Sequence, residues 1–261
     1  MLHSLKALNR FQVRAADGEI GQVRDGYFDD ERWVVRYLVV ATGGWLSGRD
    51  VLISPYSIRG IGTDDDRAVI TRLTRKQVEG SPSIDTHQPI SRRHEAAYLG
   101  YYGYPLYWPY ATFWAWGAMP TVPAPIPPVP ESPDLRVLER AASDEDVHLR
   151  SAREVTGYNI QGSDEPVGHV DDFLFEDQTW ALRYVVADTR NWLPGKRVLI
   201  ATQWIRGVSW PEHTVDVDLT RAAIEASPPF DPDHLPSRDD EAELHRHYRR
   251  EAYWGSSQAP R

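Results

Sequence analysis

Short runs of β-branched and aromatic residues, cut by turn residues, open the chain. They fall at Phe11–Ala15, Ile20–Phe28, Trp33–Ala41, Arg49–Ser54, Tyr56–Ile61 and Ala68–Leu73. Asp17-Gly18, Asp29-Asp30, Gly43-Gly44, Pro55 and Asp64-Asp65-Asp66 separate them. Branched and aromatic side chains suit a pleated, half-buried surface, whereas Gly, Pro and Asp suit turns. Six strands this short and this closely spaced predict a small barrel. The pattern then changes. Leu73–Gly80 reads as a short helix, with Thr74 as its N-cap and Gly80 as its stop.

The same pattern returns later in the chain. Aligned with an offset of 147, Leu2–Gly60 and Leu149–Gly207 share 22 identities in 59 positions. With an offset of 146, Leu73–Trp108 and Leu219–Trp254 share 14 in 36, including Ser91-Arg92, Glu95-Ala96 and Tyr107-Trp108. A self-similarity of this length marks a duplicated structural unit. The predicted organisation is a unit at 1–108, a linker at 109–146, a second unit at 147–254 and a disordered C-terminus at 255–261. Each unit is a barrel with a tail. The tails read as helices capped by Ser91 and Ser237, and Thr220–Ala226 repeats the short helix. Ser151-Ala152-Arg153-Glu154 has capping-box spacing, so one helical turn opens each unit.

Charge and composition narrow the function. The chain has 261 residues, a net charge of −9 and no cysteine. Such a balance argues against nucleic-acid binding, which needs clustered Lys and Arg. Without cysteine there are no disulfides and no thiolate metal sites. The acidic runs lack calcium-loop spacing, and there is no His-Glu-x-x-His, Gly-x-Ser-x-Gly or phosphate loop. The expectation is therefore no metal, no cofactor and no catalytic residue. The start of the chain has no apolar run of leader length, which points to the cytoplasm. From Ala96 to Pro130 there is no charge, and ten of the 35 positions are aromatic. Prolines break that stretch too often for a spanning helix, although its aromatic residues suit a bilayer interface.

Two groups of residues stand out. If the hairpin turn is Asp29–Arg32, Phe28 faces Trp33 and Asp25 faces Arg36. The same arithmetic sets Asp172 opposite Arg183, a cross-strand ion pair in each copy worth roughly 0.2–1 kcal/mol. The other group is aromatic. Trp45-Leu46 and Trp192-Leu193 occupy corresponding loops, where a tryptophan either closes a barrel end or anchors a partner. Tyr101, Tyr104, Trp114 and Trp116 belong to the charge-free stretch, which either wraps the barrels or recruits another chain.

Several segments carry a family resemblance. They are Ser151–Gly157, Asp17-Gly-Glu-Ile-Gly21 with Val23 and Asp25, Val167–Asp172, and the Trp180–Arg197 stretch that runs into Val198-Leu199-Ile200. Each unit resembles a PRC-barrel domain, the family of the photosynthetic reaction-centre H subunit's barrel and the C-terminal domain of the ribosome-maturation factor RimM. The resemblance implies a mainly β protein with short helices: two SH3-like six-stranded barrels in tandem, each with a short helix and a helical, aromatic tail. It also implies a non-catalytic bacterial adaptor that binds other proteins. The duplication, which spans barrel and tail together, predicts that the barrels pair as an intramolecular pseudo-dimer. The alternative is a peripheral membrane component similar in role to the H subunit.

Overall fold

A computed structural model describes residues 1–63, 66–82, 90–107, 148–189 and 196–254. The expected linker and the C-terminal residues 255–261 lie outside them. The fold is mainly β, in two seven-stranded mixed sheets with a few short helices. The chain divides into two compact units. One holds Ala7–Ser151 with Asp177–Ala181; the other holds Met1–Lys6, Ala152–Glu176 and Leu182–Arg261. The division is not that of the repeat, because the first six residues count with the second copy.

In the first-copy sheet the strands are β2 (Gln12–Ala15), β3 (Gly18–Asp29), β4 (Val34–Ala41), β5 (Asp50–Ile53), β6 (Ile58–Ile61) and β7 (Ala68–Thr71). Their hydrogen-bonded order is β5-β4-β3-β2-β7-β6, and only β2–β7 is parallel. The path is open at its ends. The seventh strand is β8 (Leu149–Ser151), from the head of the second copy, which pairs antiparallel with β3. The second-copy sheet mirrors this. It contains β9 (Asn159–Gln161), β10 (Pro166–Glu176), β11 (Leu182–Asp188), β12 (Arg197–Ala201), β13 (Ile205–Ser209) and β14 (Thr214–Val217). Its seventh strand is β1 (Leu2–Ser4), paired with β10. The sequence pattern gave six strands per unit. The seventh was missed because a three-residue strand carries almost no periodicity.

The expected cross-strand register is corrected by a turn that lies one residue further along and by a β-bulge in each copy. Asp29 pairs with Val34 and Phe28 with Val35, not with Trp33. Trp33 adopts φ 55°, and its N–H donates to the Asp29 carbonyl, so the turn is Asp30–Trp33, as long as the expected Asp29–Arg32 but one residue further along. Further along, Asp25 faces Val39, and Arg36 is the extra residue between Val35 and Tyr37. The second copy repeats the fault: Asp172 faces Val186, and Arg183 is the extra residue between Leu182 and Tyr184. An extra residue has no cross-strand partner, so its side chain is re-aimed.

The helices follow their caps. α2 (Arg75–Glu79) has a full capping box from Thr74 and Gln77 and ends at Gly80, and α5 (Arg221–Glu225) is capped by Thr220. The tail helices α3 (Arg92–Tyr102) and α6 (Arg238–His247) accept their first amides on Ser91 and Ser237, as expected. α1 (Leu5–Leu8) and α4 (Ala152–Val155) are the opening turns. β4 is buried along nearly its whole length, which a strand with one wet face would not be. One reason is α3, whose Tyr98 ring meets Tyr37 edge-on at 5.2 Å. Gly21 and Gly168 are needed where strands cross. A Cβ on either would lie 2.0 or 2.1 Å from the carbonyl oxygen of Ala41 or Asp188.

Candidate interaction site

The incoming strands are held by one carboxylate each. Ser4 Oγ donates to Asp172 Oδ2 at 2.5 Å, and the Lys6 N–H donates to Asp172 Oδ1 at 2.9 Å. Asp172 therefore fixes the end of β1 and caps the first turn of α1. Burial raises its pKa above the ordinary carboxylate value, against the opposing pull of these hydrogen bonds. In the other unit Ser151 Oγ donates to Asp25 Oδ2, also at 2.5 Å. Leu2 and Leu149 insert beside them and are buried. Ser151, the residue expected to cap its own helix, gives its hydroxyl proton to the sheet that receives the exchanged strand. The Asp of the repeated motif is thus a strand-docking residue.

The ion pairs lie elsewhere than the simple register places them. Asp25–Arg36 and Asp172–Arg183 are replaced by Asp29–Arg36 at 3.0 Å and Glu176–Arg183 at 2.6 Å. The bulge turns each arginine towards the acid that ends the preceding strand. Arg36 and Asp29 are both buried, so their pairing offsets a desolvation cost as well as fixing the hairpin.

Both arginines lead to the tails. The Arg36 guanidinium lies 4.0 Å from the Tyr107 ring centre, and Arg183 lies 4.1 Å from that of Tyr253. Tyr107 donates to fully buried Glu95, and His148 Nε2 sits 3.0 Å from the same carboxylate. In the second copy Glu241 accepts from Tyr184 at 2.9 Å and from Tyr253 at 2.8 Å, while Arg238 lies 3.2 Å away. His245 Nε2 lies 3.2 Å from the Tyr184 hydroxyl. Burial and the nearby Glu95 push the Tyr37 and Tyr107 phenols well up, and burial with Glu241 does the same to Tyr184 and Tyr253. Tyr107, Tyr184 and Tyr253 remain protonated and donate, and the carboxylates accept. The chemistry ties each tail helix to its sheet. The sequence signal was present in the repeated Arg92/Arg238, Glu95/Glu241 and Tyr107/Tyr253, but the repeat alone did not say that they meet.

The aromatic candidates are scattered. Trp45 sits half-buried on a 3-10 turn, Gly43–Leu46. Its Nε1 donates to the Ile20 carbonyl at 2.5 Å, and Arg75 lies 4.3 Å from its ring centre. Leu46 beside it is half-buried. Tyr101 is exposed, with its hydroxyl bonded to the Gln77 carbonyl. Tyr104 is half-buried and stacked on Tyr102 at 5.4 Å. Trp192, Leu193, Trp114 and Trp116 lie outside the described residues. Among the described residues, no three His, Asp or Glu side chains converge as metal ligands would. Nor is any helix there long and apolar enough to cross a membrane.

Two mixed sheets, each with a short helix, a docked tail and a strand taken from the other copy, define a duplicated small β domain. Within that class one family is matched: residues 3–77 match the PRC-barrel domain. No curated protein matches the chain.

Proposed function

We propose that the protein is a non-catalytic adaptor whose two PRC-type domains bind another protein in the bacterial cytoplasm. On this reading the second copy is a PRC-barrel as well, each sheet curls into an SH3-like barrel, and the pair acts as a homodimer fused into one chain. The observation that supports it most is the strand exchange. Each sheet accepts a segment distant in sequence through backbone pairing, a buried leucine and a serine–carboxylate bond. Edge pairing with side-chain anchors is a general mode of peptide recognition. Trp45 and Tyr101 are the residues we assign to the partner, because both keep aromatic surface available on a pinned side chain.

Affinity capture with the intact chain and with a Trp45→Ala/Tyr101→Ala variant tests this. The intact chain is expected to retain a stoichiometric protein partner that the folded variant loses. Equal recovery by both, or no partner at all, overturns the proposal. The alternative, a peripheral membrane role, draws on the charge-free aromatic stretch. It predicts co-sedimentation of the intact chain with anionic vesicles.

A further inference from the structure

The copies diverge most usefully around the start of α6. A pocket of about 220 Å³ opens there. Leu199 of β12, Phe230 and Leu244 give it an apolar floor, and Asp231, Asp240 and Glu243 stand at its rim. The one base in its lining, His234, is bonded to Asp231 at 2.8 Å. The lining is therefore acidic above and apolar below.

The duplication explains why space exists at this point. Leu244 stands where the first copy has Tyr98, and Leu199 where it has Leu52. Tyr98 is fully buried; its hydroxyl donates to the Leu52 carbonyl at 2.9 Å and accepts from the Ser54 N–H at 3.2 Å. Replacing a phenol by an isobutyl group removes the ring that would fill this position. The same alignment sets His94 and Ala97 against Asp240 and Glu243. Around this pocket, then, the second copy has a smaller side chain in place of Tyr98 and carries two carboxylates that the first copy does not. The walls are fixed. Phe230 N–H donates to the Arg197 carbonyl at 2.7 Å, Asp233 N–H to Asp231, and Asp240 closes the capping box of α6. Pro228, Pro229 and Pro236 restrict the backbone between them.

We propose that this pocket receives an arginine side chain from the partner protein. A flat guanidinium enters beside Leu244, the position of the flat phenol in the first copy, and its aliphatic stem lies on Leu199 and Leu244. Its fork of donors faces carboxylates, which suit it better than a neutral donor and better than the more strongly hydrated lysine ammonium. The inference rests on the adaptor reading and names the chemistry of the partner.

The test titrates the full chain with N-acetyl-arginine amide, following the methyl NMR signals of Leu199 and Leu244. N-acetyl-citrulline amide, the neutral analogue, is the control. Saturable shifts are expected with the arginine probe, at least roughly fivefold weaker with citrulline. Glu243→Gln is expected to weaken the arginine probe roughly two- to fivefold. Leu244→Tyr, which restores the first-copy residue, is expected to abolish the shifts. Equal response to both probes, or no loss with the folded variants, overturns the proposal. Glu243→Gln keeps the test decisive if Leu244→Tyr fails to fold. If the probe binds but the capture experiment yields no partner, the adaptor reading fails and the pocket stands. If a partner is captured but the probes are not distinguished, the pocket assignment alone falls.

Discussion

At the scale of single residues, the carboxylates that receive the incoming strands make the sharpest predictions. Asp172 accepts from both Ser4 Oγ and the Lys6 N–H in a buried setting. Asp172→Ala leaves both donors without this acceptor and is expected to destabilise the fold by roughly 2–4 kcal/mol in urea unfolding. Asp172→Asn, which keeps one acceptor and removes a charge that burial disfavours, should cost less. Histidine gives a pH prediction. Burial lowers the pKa of His245, and that of His94, below the ordinary 6.5. The folded state then binds fewer protons than the unfolded one. Stability is full above about pH 6.5 and declines as the pH falls towards the lowered folded values. His245→Leu, which installs the first-copy residue Leu99, should flatten part of that decline. An unchanged slope between pH 7 and pH 5 would remove His245 as its source.

At the scale of elements, the strands and caps were largely legible in sequence because their signals are local. Runs of β-branched and aromatic residues marked β2 to β7, and Thr74, Ser91, Thr220 and Ser237 marked helix starts that the structure reproduces. The register was not legible. A bulge inserts Arg36 without changing the residue pattern, and the left-handed Trp33 ends a turn set one residue further along than its composition suggests. The tail sites were half legible. The duplication marked Arg92, Glu95 and Tyr107, but their meeting with Arg36 and Tyr37 depends on long-range packing. That packing carries its own prediction. Glu241 accepts from two phenols and lies beside Arg238. Glu241→Ala should cost about 2–4 kcal/mol, because it leaves two buried phenols without this acceptor while the half-exposed Arg238 is rehydrated. It should also raise amide exchange along α6. Exchange in α6 equal to that of the unmutated chain would show that the carboxylate does not hold the tail.

At the scale of the whole molecule, the duplication and the compact units follow different boundaries, and this decides how the chain can be cut. Leu2–Ser4 belongs to the second-copy sheet and Leu149–Ser151 to the first-copy sheet, so cutting within 109–146 takes a strand from both. Leu2 and Leu149 are each 5% exposed, and full burial of a leucine contributes roughly 1.5–3 kcal/mol. An aspartate at either position would place a charge against that sheet. Leu2→Asp in the full chain should therefore speed amide exchange in β10, around Leu174–Glu176, while Gly18–Ala41 keeps its protection. Leu149→Asp should do the reverse, exposing Tyr27–Asp29 and sparing β10. The crossed pattern separates exchange from simple tandem folding. If each copy completed its sheet with its own first strand, Leu2→Asp would loosen β3 and Leu149→Asp would loosen β10. Hydrogen exchange read by mass spectrometry distinguishes the two patterns without isolating either half.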